Sequence, residues 1–266
     1  MLYNVKEFEV QVQNLEFDCI CFGRGQKSLV MIQGLNTNGI KGAGLSLALM
    51  YRIFAKEYTV YLFDRRKNVS KGFTIEEMAS DIALVMDTLK IKNADVLGVS
   101  QGGMIAQYLA LHRADLVRKL VLALTSSRNN EVMVQTVTNW IKMTKEKNFK
   151  NLVNDMTEKM YTDAYIRKYR LFLPLLTILQ TPKDVERFMI LAEACLTCNT
   201  YERLNKILCP VLVIGAARDK VVTGEASIEM AKQLQCKYYL YEDFGHAAYE
   251  EANDFNQRVL DFLIHS

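Results

Sequence analysis

The sequence predicts an α/β fold: a mostly parallel central sheet with helices on both faces and an inserted all-helical cap. Three observations carry this expectation. Short apolar runs of strand length alternate with segments of helical periodicity over residues 28–125 and again over 210–264. Between them, residues 126–206 hold helical patterns and no convincing strand. One apolar run, ADVLGVS, ends at Ser100 in a glycine-flanked corner, and a helical pattern starts there at once.

Each element follows in turn. FEVQVQNLEFDCICFG (8–23) alternates and turns near Asn14, which predicts two antiparallel strands. SLVMIQGL (28–35) is continuously apolar, as in a strand buried on both faces. A helix is expected over 44–56 and a strand over 58–64. FTIEEMASDIALVMDTLK predicts a helix opened by a capping box, with Thr74 as cap and Glu77 three residues on. The strand 94–100, a helix to about His112 and the strand 117–125 complete the first half. In the helical block the periodicity predicts helices over 131–145, 149–161, 163–180 with Pro174 inside it, and 184–198. Thr181 and Pro182 read as the cap and first turn of the last one. The βα rhythm then returns: a strand over 210–217 with Pro210 first, a helix over 224–235, a strand over 236–243 and a final helix over 247–264. The expected domains are a sheet core, residues 1–125 with 207–266, and a helical cap, residues 126–206. An insertion that leaves after one strand and returns before the next should cover the strands' C-terminal ends, where open α/β sheets bind ligands.

Composition narrows the function. The net charge is +3 over 266 residues, with no dense basic run, which argues against a nucleic-acid partner. No apolar stretch reaches the ~20 residues of a membrane span, and MLYNVKEFEV lacks the apolar core of a signal peptide. Six cysteines in so long a chain are too sparse for a disulfide scaffold, so a reducing cytoplasm is the expected compartment. Cys195 and Cys198 form a lone C-x-x-C without a second pair or a nearby histidine, which reads as buried thiols. No cofactor or metal is expected.

The corner at Ser100 carries the chemistry. Gly98-Val99-Ser100-Gln101-Gly102 fits G-x-S-x-G between a strand and a helix, the setting of a nucleophile elbow. A serine hydroxyl needs a base, usually histidine, that a carboxylate orients. The chain has three histidines. His112 lies roughly 18 Å along the same helix, at ~1.5 Å per residue. His265 is next to last in the chain. His246, in the loop between the last strand and the last helix, is the remaining candidate. Asp219, just past another strand, is the expected acid, with Glu131 and Asp243 as rivals. Acyl transfer also needs hydrogen-bond donors for the oxyanion. The N–H of Gln101 is one, and the N–H of Leu35, beside Gly34 and Asn36, is the other.

Together these residues resemble the α/β-hydrolase superfamily, in the branch with a helical cap. YLFDRRKNVSKGFTIEEMASDIALVMDTLKIKNADVLGVSQGG is similar to that family's segment from the fourth strand through the nucleophile, and CPVLVIGAARDKVVT and FGHAAYEE to its acid and histidine segments. The resemblance implies a nucleophile at Ser100, an acid at Asp219, a base at His246, and oxyanion N–H groups at Leu35 and Gln101. Two stretches depart from the family pattern. Gln33-Gly34 stands where the family usually has His-Gly, and Asp64-Arg65-Arg66-Lys67-Asn68-Val69 lacks the usual glycines. The expected activity is a serine hydrolase of the carboxylesterase kind, acting on a small ester, thioester or lactone. Carbon–carbon bond hydrolysis, perhydrolysis and acyl transfer could use the same groups. A non-catalytic ligand-binding member is a further alternative. A peptidase would need an acidic cap residue, such as Glu193 or Glu186. The expected partner is a small acyl compound, with a homodimer left open.

Overall fold

The computed structural model describes residues 2–265. Eight strands form one sheet: β1 (Lys6–Val12), β2 (Leu15–Gly23), β3 (Lys27–Ile32), β4 (Tyr58–Phe63), β5 (Ala94–Val99), β6 (Val117–Ala123), β7 (Val211–Ala216) and β8 (Lys237–Tyr241). Their order is β1-β2-β4-β3-β5-β6-β7-β8. β1 pairs antiparallel with β2, and β2 with β4. All later pairings are parallel.

Central strands buried on both faces need helices on both sides. β5 shows this directly. All six of its residues are buried, and Val96 joins one core while Leu97 and Val99 join the other. The first core takes side chains from α2 (Ile75–Thr88), α3 (Gln101–His112) and α9 (Gly224–Leu234). The second takes Ala48 of α1 (Gly44–Met50) and Val259 and Leu263 of α11 (Phe255–His265). The capping box forms as expected: Thr74 Oγ1 accepts from the Glu77 N–H, and Glu77 accepts from the Thr74 N–H.

β6 and β7 are neighbours in the sheet, yet the chain between them makes a 3-10 helix over Tyr201–Lys206 and five α-helices. These are α4 (Glu131–Lys145), α5 (Phe149–Met160), α6 (Asp163–Tyr169), α7 (Leu173–Gln180) and α8 (Val185–Cys195). Several boundaries differ from the sequence expectation. The helix expected over 44–56 stops as α1 at Met50, and a 3-10 turn covers Arg52–Lys56. The helix expected over 163–180 is two, because Pro174 sits in the first turn of α7, where a missing N–H costs nothing. Thr181 ends α7 in extended conformation, and Asp184 rather than Thr181 caps α8, accepting from the Arg187 N–H. The final helix is also split, into α10 (Ala248–Glu251) and α11, with Ala252 extended between them. Among the described residues, no helix is long and apolar enough to cross a membrane.

Candidate active site

Ser100 sits between β5 and α3 with φ 53° and ψ −121°. This region costs a side-chain-bearing residue strain of order 1–3 kcal/mol, and surrounding contacts must hold it. They do so here. The Ser100 N–H donates to the Ala123 carbonyl, and Thr125 Oγ1 donates to the Ser100 carbonyl at 2.7 Å. Two glycines are required by close approach. A Cβ on Gly98 would lie 2.5 Å from the Gly102 carbonyl oxygen, and one on Gly102 would lie 1.9 Å from the Ile32 oxygen.

Three distant segments meet at this corner. His246 Nε2 lies 2.9 Å from Ser100 Oγ, and His246 Nδ1 lies 2.8 Å from Asp219 Oδ2. The other carboxylate oxygen of Asp219 accepts from the N–H groups of Val221 (2.7 Å) and Val222 (3.0 Å). With its oxygens so fixed, the carboxylate accepts from Nδ1–H and leaves Nε2 free to take the serine proton. The His246 and Asp219 side chains are 4% and 1% exposed, so water does not compete for the pair.

The loop after β3 passes beside the hydroxyl. A Cβ built on Gly34 would lie 3.2 Å from Ser100 Cβ and 3.7 Å from its Oγ. The N–H of Gln101 opens α3 and has no intrahelical acceptor. Neither it nor the Leu35 N–H is paired with another described protein group. Both are therefore free to receive a negative oxygen.

The remaining sequence candidates lie elsewhere. His112 closes α3 and meets Glu76 at 3.2 Å, and His265 is exposed. Asp243 pairs with Arg218 at the surface. Glu131 lies in the first turn of α4. Glu186 and Glu193 are both exposed on α8, not gathered at the serine. Cys195 and Cys198 are buried free thiols, and burial pushes them up to about 11 and about 12.

Nothing in its residue type marks Arg65, yet it belongs to the site's frame. The guanidinium is buried, and its Nη2 donates to the carbonyls of Gln33 and Gly34 and to Gln101 Oε1. It thus links the loop of Leu35 to the residue after Ser100. Gln101 Nε2 in turn donates to the Leu191 carbonyl and lies 3.1 Å from Cys195 Sγ. Burial lowers the Arg65 pKa to about 10, and its Nε and Nη1 have no protein partner among the described residues. The one available signal was the departure from the family pattern after β4. Its neighbour Arg66 turns away to Asp81, at 2.6 Å.

A crevice of about 170 Å³ opens beside this loop, lined by Gln33, Leu35, Asn36, Tyr51, Tyr249 and Glu250 among others. Tyr161 donates to Glu250 at 2.7 Å. Glu250 lines the crevice, and desolvation of its carboxyl raises its pKa.

Comparison with known proteins agrees with the geometry. The family profile described as "alpha/beta hydrolase fold" matches residues 27–253. A 3-oxoadipate enol-lactonase of Acinetobacter baylyi is 22% identical over 79% of this chain and 79% of its own. A 2-hydroxy-6-oxononadienedioate/2-hydroxy-6-oxononatrienedioate hydrolase of Paraburkholderia phymatum is 28% identical, covering 91% and 88%. Among solved structures, the enol-lactonase of Burkholderia xenovorans superposes with a TM-score of 0.83 at 24% identity, over 96% of this chain and 99% of its own. The strand order, the strained serine corner and the profile match lead to one assignment: this chain belongs to the α/β hydrolase family.

Proposed function

We propose that the protein is a serine hydrolase of small esters, thioesters or lactones, working through an acyl-enzyme on Ser100. The observation that carries this reading is the unbroken hydrogen-bonded line Asp219–His246–Ser100. Ser100 Oγ attacks the acyl carbon while its proton passes to His246 Nε2. The carbonyl oxygen gains the negative charge and faces the N–H groups of Leu35 and Gln101. Asp219 holds Nδ1–H and stabilises the imidazolium. Collapse breaks the acyl–leaving-group bond, and His246 returns the proton to the leaving group. Water, deprotonated by His246, then releases the acid and restores the serine. Arg65 serves as a positioning residue that holds the two oxyanion segments at a fixed separation.

In this reading residues 126–206 form a cap over the core of residues 1–125 and 207–266. Hydrogen bonds support it. The inserted helices reach Asn38 after β3, the Arg65 and Arg66 carbonyls after β4, Gln101 after β5 and Ala247 after β8. All four positions lie just past the C-terminal ends of strands. The free cysteines fit a reducing, cytoplasmic setting. The enol-lactonase relatives favour an ester-type bond. The Paraburkholderia relative keeps carbon–carbon hydrolysis of a diketone as the second reading.

A panel of p-nitrophenyl esters from acetate to octanoate, together with small lactones, tests the proposal. Turnover that disappears in Ser100→Ala is the expected result. No turnover of any panel member would overturn the ester and lactone reading in favour of a diketone hydrolase or a binding protein. Ligand-dependent thermal stabilisation without turnover would identify the binder.

A further inference from the structure

The insertion carries a surface that the hydrolase chemistry does not use. On α7, Leu175, Ile178 and Leu179 are 55%, 73% and 60% exposed. They fall at i, i+3 and i+4, the spacing that normally turns a stripe toward a core. Leu171 and Phe172, just before the helix, extend the same exposed run. The helix is not loose at its end. Asn38 Nδ2 donates to the Leu179 and Thr181 carbonyls at 2.8 and 3.1 Å, and Asn38 Oδ1 accepts from the Lys183 N–H at 3.0 Å. The loop after β3 therefore holds α7 with its apolar stripe outward.

Charge identifies the occupant. Between the exposed acids Asp163 and Asp184, the chain has Arg167, Lys168, Arg170 and Lys183 and no Asp or Glu. All four cations are exposed. Tyr165, Tyr169 and Phe172 stand among them. A second copy docking through the same segment would bring two net-positive segments together, since a two-fold contact pairs a surface with itself. A bilayer with anionic headgroups matches both features. Leucine, isoleucine and phenylalanine enter the acyl boundary while lysine and arginine remain at headgroup level.

We propose that the exposed segment running through α6 and α7 to Lys183 docks the protein on an anionic lipid surface. This goes beyond the hydrolase reading and does not depend on it.

Co-sedimentation of the full chain with large unilamellar vesicles tests the proposal. One set is phosphatidylcholine alone, and the other is phosphatidylcholine mixed with phosphatidylglycerol. Binding to the mixed vesicles should exceed binding to the neutral ones by about tenfold or more, and high salt should weaken it. The pair Leu175→Ser with Ile178→Ser, and separately the triple Arg167→Gln, Lys168→Gln, Arg170→Gln, should each reduce it by about tenfold or more. These positions are exposed, so circular dichroism and the thermal midpoint should match wild type. Equal sedimentation with and without the anionic lipid would overturn the proposal. So would binding that neither variant set weakens. A dimer in sedimentation velocity that Leu175→Ser dissociates, with no vesicle binding, would assign the face to self-association. Retention on immobilised polyglutamate without vesicle binding would assign it to an acidic protein partner.

Discussion

Ser100 is held at φ 53°, ψ −121° by backbone contacts on either side, and His246 reaches its hydroxyl from another segment 146 residues away. The residue whose presence is least expected there is Arg65. A buried guanidinium with two unpartnered donor nitrogens, Nε and Nη1, costs stability, because its desolvation is incompletely compensated. What it provides is a clamp between the Leu35 loop and Gln101. Arg65→Met removes the unpartnered donors and the clamp together, and leaves the Gln33 and Gly34 carbonyls and Gln101 Oε1 without that donor. The two effects oppose each other in the thermal midpoint, while kcat/KM is expected to fall by about tenfold or more. A variant with unchanged kcat/KM and a lower midpoint would make Arg65 structural only. Ser100, His246 and Asp219, which the fold brings into one hydrogen-bonded line, are legible in the sequence for separate reasons: a glycine-flanked corner, only three histidines, and an aspartate just past a strand. Arg65 is not legible, because two arginines and a lysine after a strand look like a solvated face. Only the path of the backbone decides that Arg65 turns in and Arg66 turns to Asp81.

At the level of elements, the strand–corner–helix unit depends on close backbone packing. The carbonyl oxygens of Ile32 and Gln33 stand where a Cβ on Gly102 would be. Backbone atoms cannot rotate aside as a side-chain end can, so Gly102→Ala must shift β3 against α3. The expected loss is about 3 kcal/mol in urea denaturation, and a loss below about 0.5 kcal/mol would contradict the packing described. Strands were readable because apolar runs of six or seven residues between helical patterns have few other homes. The helices of the insertion were readable in number of turns but not in their breaks. Pro174 suits a helix's first turn as well as a kink, and the choice rests on the packing of α7 against α5. Likewise Thr181 and Asp184 are both acceptable caps. Asp184 takes the role, while Thr181 closes α7, its carbonyl bonded to Asn38 from a distant loop.

Across the whole molecule, the inserted helices are tied to the sheet edge that carries His246. The Ala247 N–H donates to the Met160 carbonyl at 2.8 Å, Thr162 bonds Glu251, and Tyr161 donates to Glu250. Order of the imidazole and seating of the insertion are therefore linked through one short segment. Desolvation raises the Glu250 pKa above 4.5, while hydrogen bonds from Tyr161 and Tyr249 partly oppose it. A folded pKa above the unfolded one means the folded state keeps a proton that the unfolded state has released. The stability from this group is then complete below pH 4.5 and is lost as pH rises through the folded pKa. Glu250→Gln does not titrate. Its urea midpoint relative to wild type should rise across that interval and level off above it. Parallel midpoint curves for the two proteins would show that Glu250 does not feel the crevice. This linkage is not visible in the sequence, where FGHAAYEE shows a histidine, two acids and Tyr249 but not Tyr161, which reaches Glu250 from the inserted helices.

The most direct measurement of the central claim is the rate at which a fluorophosphonate modifies Ser100, read by peptide mass spectrometry. If Asp219, His246 and Ser100 act as one line, wild type is labelled once, at Ser100. Ser100→Ala is not labelled, and His246→Ala reacts more slowly by about a thousandfold or more. Wild-type protein that resists the reagent, or a His246→Ala variant labelled at the wild-type rate, would contradict it.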